Sequence, residues 1–205
     1  MPETRMTQEQ RRSQTETALL AAAAELVVES GLRSVTLANV GARAGYSRGI
    51  VTHSFGSKAA LIEALARRSQ AGFVRGLDRF RPGLERFLHH LDGYLGTIKS
   101  TDVRYRAFLL LWSESITDPE LRETFQERDE QFRAELRAEL ETAVGQGEVR
   151  PELDLDAASA AAVGQVRGVA MQHLLAPTTV DLDRVRPVVV EQWRAFLKAA
   201  QEGFA

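Results

Sequence analysis

The chain has 205 residues, 44% hydrophobic and 26% charged, with a formal net charge of −2 at pH 7 and no cysteine. That length and apolar fraction suffice for a buried core, and the missing cysteines exclude a disulfide framework, a thiolate zinc site and a cysteine nucleophile. Met1 to Arg12 is polar and charged, unlike a signal peptide, and no apolar run approaches the ~20 residues of a membrane span, so the expectation is a cytoplasmic protein without membrane contact.

Ala, Leu, Glu, Arg and Gln dominate the periodic segments and alternating β-branched runs are missing, which predicts an all-α fold of about nine helices. The first runs from Glu9 to Ser30, with Leu19, Ala23, Leu26 and Val27 on one face and Gly31 as its stop. Two short helices follow, near 37–44 and 48–54. A longer fourth starts after Ser57 and lasts until Pro82-Gly83, shared between head and body. The fifth and sixth occupy about 84–99 and 102–116. Asp118 caps the seventh and Pro119 fits its first turn. Its stripe is Leu121, Phe125, Phe132, Leu136, Leu140 and Val144, closed by Gly145 and Gly147. The eighth runs from about Asp156 to Ala176, where Pro177 stops it, and the ninth to about Glu202. Pro187 offers two outcomes: a start at Asp183 makes it remove a needed N–H, whereas a start nearer Arg184 leaves it harmless in the first turn.

Residues 37–56, LANVGARAGYSRGIVTHSFG, meet the steric demands of a helix-turn-helix. Gly41 is small where a second helix must cross. Gly45, four residues on, supplies a positive backbone dihedral cheaply. Val51 fills the angle between the helices, and Val40, Ala44 and Tyr46 take the other inward positions. Thr36 and Ser47 are the expected N-caps. Two unrelated short helices joined by Gly45 are the bland alternative. Charge adds mild support: residues 1–60 sum to +2 and the remainder to −4.

With its flanks the segment resembles the TetR-family DNA-binding domain over about 17–65: Gly31, Thr36, Gly45, Ser47, Gly49, the Phe55-Gly56-Ser57-Lys58 turn and Leu61. Thr52 stands where the family often has Tyr, Gly41 where it usually has Ala, and Ala59 where it usually has an acidic residue. The body, with FLLLWSESITDPELRETF and QVRGVAMQHLLAPTTVDLDRV, is similar to a family body. The resemblance implies an N-terminal three-helix helix-turn-helix domain over 1–57, with a flexible arm at about 1–8. A helical effector-binding and dimerisation domain follows over 58–205. It also implies a ligand-responsive regulator, most often a repressor, that binds a palindromic operator in double-stranded DNA as a homodimer and is released by a small-molecule effector.

In this reading the second helix, about Ser47–Ser54, enters the major groove. Arg48 is the base-reading candidate, able to donate two hydrogen bonds to a guanine edge; a phosphate contact or a solvated charge are its other readings. Thr52 and His53 reach base methyls or phosphates, Tyr46 and Ser47 complete the contact surface, and Thr36, Arg43 and Lys58 are phosphate candidates. Arg11 and Arg12 form a basic arm or a solvated tail.

The body carries no chemical motif. Phe73, Phe87, Tyr94, Phe108, Trp112, Phe132 and His173 are expected to line an effector pocket between helices, favouring a hydrophobic or aromatic effector, although core packing is the default for aromatics at helical spacing. Ala161, Gly164 and Gly168 let two helices approach closely. With Val189, Trp193 and Phe196 they form the dimer interface that the resemblance implies. No cofactor is expected. An enzyme is disfavoured: His89 and His90 point about 100° apart, Glu85 and His89 lack a second ligand pair, and no phosphate-cradling loop occurs. The rival is a helical protein-interaction module without DNA-reading activity.

Overall fold

The computed structural model describes residues 7–70, 74–99 and 102–198. Among these, nine α-helices occur: α1 Gln8–Ser30, α2 Leu37–Ala44, α3 Arg48–Phe55, α4 Lys58–Gln70, α5 Leu84–Ile98, α6 Val103–Glu114, α7 Pro119–Gly145, α8 Leu155–Leu175 and α9 Leu182–Lys198. No helix among them is long and apolar enough to cross a membrane. The chain divides into two compact units, one of Met1–Ala71 with Asp102–Phe125, the other of Gly72–Thr101 with Gln126–Ala205. The packing division thus places α4 and α6 with the head, whereas the sequence reading cuts at residue 57.

In the first unit α1 starts on a capping box: the Thr7 hydroxyl accepts from the Gln10 N–H, and the Gln10 side chain accepts from the Thr7 N–H at 2.8 Å. Its end at Gly31 has φ +74°, a conformation that costs a side-chain-bearing residue strain. Leu19, Ala23 and Val27 of α1 are buried, and the helix packs on α2, α4 and α6. Leu61 and Leu65 of α4 and Phe108 of α6, whose ring meets that of Phe125 at 5.4 Å, fill the same core.

The fourth helix stops earlier than the expected Pro82-Gly83. It ends at Gln70, and Gly76 lies in the left-handed region at φ +75°, which no right-handed helix can contain. A 3₁₀ turn at Leu77–Arg79 follows.

In the second unit α5 packs against α8 and α9. The α5 N-terminus has no local side-chain cap. Its free N–H groups are satisfied from far along the chain: Glu139 of α7 accepts from Gly83 N–H at 2.9 Å, and Glu148 accepts from Leu84 N–H at 3.2 Å. Glu139 also pairs with Arg86 at 2.7 Å. A second ion pair, Arg167 to Asp129 at 2.6 Å, ties α8 to α7 and is almost wholly buried. Of the two outcomes for Pro187, the first holds. α9 begins at Leu182, so Pro187 lies inside it and the Asp183 carbonyl loses its helical donor.

Candidate nucleic-acid interface

The α2–α3 corner has the geometry its sequence requires. The Thr36 hydroxyl caps α2 by accepting from Asn39 N–H at 3.1 Å, and the Ser47 hydroxyl caps α3 by accepting from Ile50 N–H at 3.4 Å. Gly45 ends α2 at φ +77°, ψ 24°. Tyr46 N–H then donates to Gly41 O at 2.8 Å, folding the turn onto α2. A Cβ on Gly41 would sit 2.8 Å from the Tyr46 carbonyl oxygen, so a glycine there permits this close approach. Val40 and Val51 are fully buried between the helices, while Ala44 and Tyr46 are half-buried.

Arg48, Gly49, Ile50, Thr52 and His53 of α3 are exposed; Gly49 and His53 lie opposite Val51, with Ile50 and Thr52 on the flanks and Arg48 in the first turn. Neither Arg48 nor His53 makes a side-chain hydrogen bond or ion pair among the described residues, so both are available to a ligand. Thr52 turns its hydroxyl back to Arg48 O at 3.0 Å. Lys58, the first residue of α4, donates from Nζ to Leu32 O at 3.1 Å, which fixes the ammonium beside the 3₁₀ turn at Leu32–Ser34.

Arg43 is placed differently from the other candidates. Its guanidinium donates to Glu29 at 2.6 and 3.0 Å and to Glu25 at 3.1 Å. The hydrogen bond from Arg43 holds the Glu29 carboxyl below its ordinary range, and Glu29 in turn raises Arg43. A phosphate would have to displace two carboxylates that already satisfy this charge; the geometry instead makes Arg43 a tie between α1 and α2. Sequence reasoning missed this because Glu25 and Glu29 lie a full element away, though their i, i+4 spacing on α1 was a signal. It also passed over Ile50, 41% exposed, although its position one residue from inward-facing Val51 marks it as lateral.

The expected effector-lining residues divide between the two units. Phe73 lies outside the described residues. Phe108 and Trp112 belong to the first unit; Phe87, Tyr94, Phe132 and His173 belong to the second. There, aromatic rings meet each other as a core does. Phe87 packs edge-on to Trp193 at 5.5 Å, and Tyr94 stacks on Phe132 at 5.7 Å, with the His90 ring 6.3 Å from Phe132. His173 is engaged through Nδ1 with Val180 O at 2.8 Å. Burial drives the His90 pKa down to about 4 and raises the Tyr94 hydroxyl to about 12, the latter opposed by Arg167 beside it. Nδ1 of His90 is buried with no hydrogen-bond partner. A separate cleft of about 490 Å³ in this unit is lined by none of the expected residues; Leu84, Val149, Arg150 and Leu197 are among its walls.

The expected dimer residues split in two. Ala161, Gly164 and Gly168 are exposed along one side of α8, and a Cβ added to either glycine would meet nothing within 4 Å. Phe196 is also exposed, with the Arg150 guanidinium 4.5 Å over its ring. Val189 and Trp193 instead face inward and are buried, Trp193 against Phe87 and bonded through Nε1 to Gln165 Oε1 at 2.5 Å. These two belong to the subunit core. The apolar side chains that α8 and α9 present outward are Leu175, 87% exposed, and Val188, 64% exposed, together with Phe196.

Two family models match this chain. Residues 19–65 match the bacterial regulatory proteins of the tetR family, and residues 83–199 match the C-terminal domain of BetI-type transcriptional repressors. The HTH-type transcriptional regulator BetI 1 of Chromohalobacter salexigens is 28% identical over 178 residues, spanning 84% of this chain and 85% of that protein. Among solved structures, NalD, the secondary repressor of the MexAB-OprM multidrug efflux pump in Pseudomonas aeruginosa, superposes with a TM-score of 0.74 at 22% identity, covering 92% of this chain and 98% of that one. A transcriptional regulator from Saccharomonospora viridis in complex with choline superposes at 0.71 with 18% identity, covering 87% of this chain and 95% of that one.

Proposed function

The chain belongs to the TetR family of transcriptional regulators, a family of DNA-binding proteins and not of enzymes, and from that premise we propose that it is a cytoplasmic repressor whose homodimer binds a palindromic operator and is released by a small-molecule effector. The observation that carries this reading is the α2–α3 corner: Gly41, Gly45 and Val51 set the crossing, and α3 presents Arg48 and His53 with no side-chain partner among the described residues. Residues 1–57 act as the reader and 58–205 as the effector and dimerisation part. Arg48 reads a base edge; Thr36, Ser47, Thr52, His53 and Lys58 contact backbone or base; Tyr46 supports the turn. Arg43 acts through α1.

Dimerisation uses the outward faces of α8 and α9. The bare stripe at Ala161, Gly164 and Gly168 supports this, because small residues allow close helix approach. The effector binds in the helical body. The choline complex of the Saccharomonospora viridis regulator supports a small-molecule ligand, and the aromatic content of the body favours an apolar or aromatic moiety. Release requires only that the ligand bind the operator-incompetent state more tightly, a coupling of typically ~1–3 kcal/mol.

The test is selection of random duplex DNA by the purified full chain. Enrichment of a two-half-site palindrome, retained less as salt rises, is the expected result. A blank selection at low salt, repeated after unfolding and dialysis to remove copurified ligand, would overturn the operator reading in favour of a protein-interaction module.

A further inference from the structure

We propose that Ile50 reads the C5-methyl group of a thymine in each operator half-site, an assignment that rests on the DNA-binding reading above. Taking Val51 as the inward direction at 100° per residue, Gly49 and His53 point almost directly away from the core, with Ile50 and Thr52 on the flanks. The centre of the outward face therefore begins with a residue that has no side chain. The room is there: a Cβ on Gly49 would meet only Ser47 Oγ at 3.6 Å. A glycine at that point recesses the helix surface and lets the α3 backbone approach the base edges closely. Ile50, 41% exposed, is then carried into the groove on one flank of that face, about 100° round the helix from Gly49.

Single exposed apolar residues are ordinary on protein surfaces. Ile50 differs in chemistry from the rest of the exposed surface: Arg48, Thr52 and His53 can all hydrogen-bond to DNA, and it cannot; His53 lies about 60° from it round the helix, while Arg48 and Thr52 lie on the other flank. Phosphates offer an isoleucine nothing. The major-groove edge of B-DNA carries one apolar group, the thymine methyl, and contact with it is the gain open to an aliphatic side chain there. Thr52 brings a hydroxyl already engaged with Arg48 O, so the two flanks of the helix differ in chemistry and the reader is asymmetric across its axis.

The experiment uses the duplex enriched by the full-length protein, with each thymine replaced in turn, in both half-sites, by deoxyuridine, which removes the methyl group alone. At one position wild-type binding should fall roughly ten- to twentyfold, and Ile50→Ala should show no loss there while keeping the losses expected elsewhere. Ile50→Val, retaining two methyl groups, should stay sensitive at that position. Ile50 is exposed, so both variants are expected to fold, as a thermal melt would verify. If wild type tolerates every deoxyuridine, or Ile50→Ala loses the same factor as wild type at every position, the assignment is overturned while the operator reading stands. If no duplex is enriched at all, both fall together.

Discussion

Arg48 and Arg43 carry the same charge five residues apart, yet only Arg43 is held by carboxylates. Arg48, at the start of α3, has no side-chain partner among the described residues, so Arg48→Ala is expected to weaken operator binding by ~1–3 kcal/mol and relax preference at one base pair, measured by titrating base-substituted duplexes. Unchanged affinity and preference would remove it from the base-reading set. Gly45 carries the turn on its backbone, not its side chain. Gly45→Ala should lower stability by ~1–2 kcal/mol in denaturant unfolding, because an L-residue at φ +77° is strained. His90 makes stability depend on pH. Its folded pKa of about 4 lies below its ordinary 6.5. Above 6.5 the ring is neutral in both states and its contribution is intact. As pH falls from 6.5 towards 4 the unfolded chain takes up a proton that the folded one refuses, so stability declines through that window, by an amount on the order of 2–3 kcal/mol. Urea midpoints measured down this range should slope less in His90→Phe than in wild type.

The short helices of the corner were legible because their constraints are local. A cap, a left-handed glycine and a small residue at a crossing are set by residues two to five positions apart, and Thr36, Gly41, Gly45, Ser47 and Val51 all take the expected places. The longer helices were legible in their starts and in most of their buried stripes. What periodicity does not encode is the identity of the surface each stripe meets. Val189 and Trp193 have the spacing of an interface, but both are buried in their own chain, Trp193 against Phe87 and Gln165. Phe87, Tyr94, Phe108 and Phe132, expected at the effector, are buried, and spacing alone does not say what each ring meets. The α5 start is similarly non-local: no sequence rule near Gly83 and Leu84 points to Glu139, 56 residues beyond Gly83, or to Glu148, 64 residues beyond Leu84. Replacing Glu139 by Ala leaves a buried N–H and the Arg86 guanidinium without their acceptor, and should cost about 2 kcal/mol in denaturant unfolding. A change within experimental error would mean that water replaces the carboxylate.

For the assembled molecule, the outward side of α8 provides a clean test of association. Nothing lies within 4 Å of a Cβ added at Gly164 or Gly168, so a side chain there starts into open space. Gly168→Arg is expected to keep the helical content of wild type, sediment as a monomer and lose operator affinity. A variant that still sediments as a dimer would move the interface away from α8. The chain itself passes between its two compact units three times, at 71/72, 101/102 and 125/126. One unit therefore cannot be excised with a single cut. A truncation after residue 71 would strip α1 and α4 of α6, the partner that covers them. The same threading limits recombination. A chimaera that swaps sensor bodies at a junction in α4 inherits its sixth helix from the donor, and that foreign helix must fit the recipient's α1 and α4. Functional exchange of specificities between relatives of this protein should therefore succeed when residues 102–125 travel with the head, and produce insoluble hybrids when they do not.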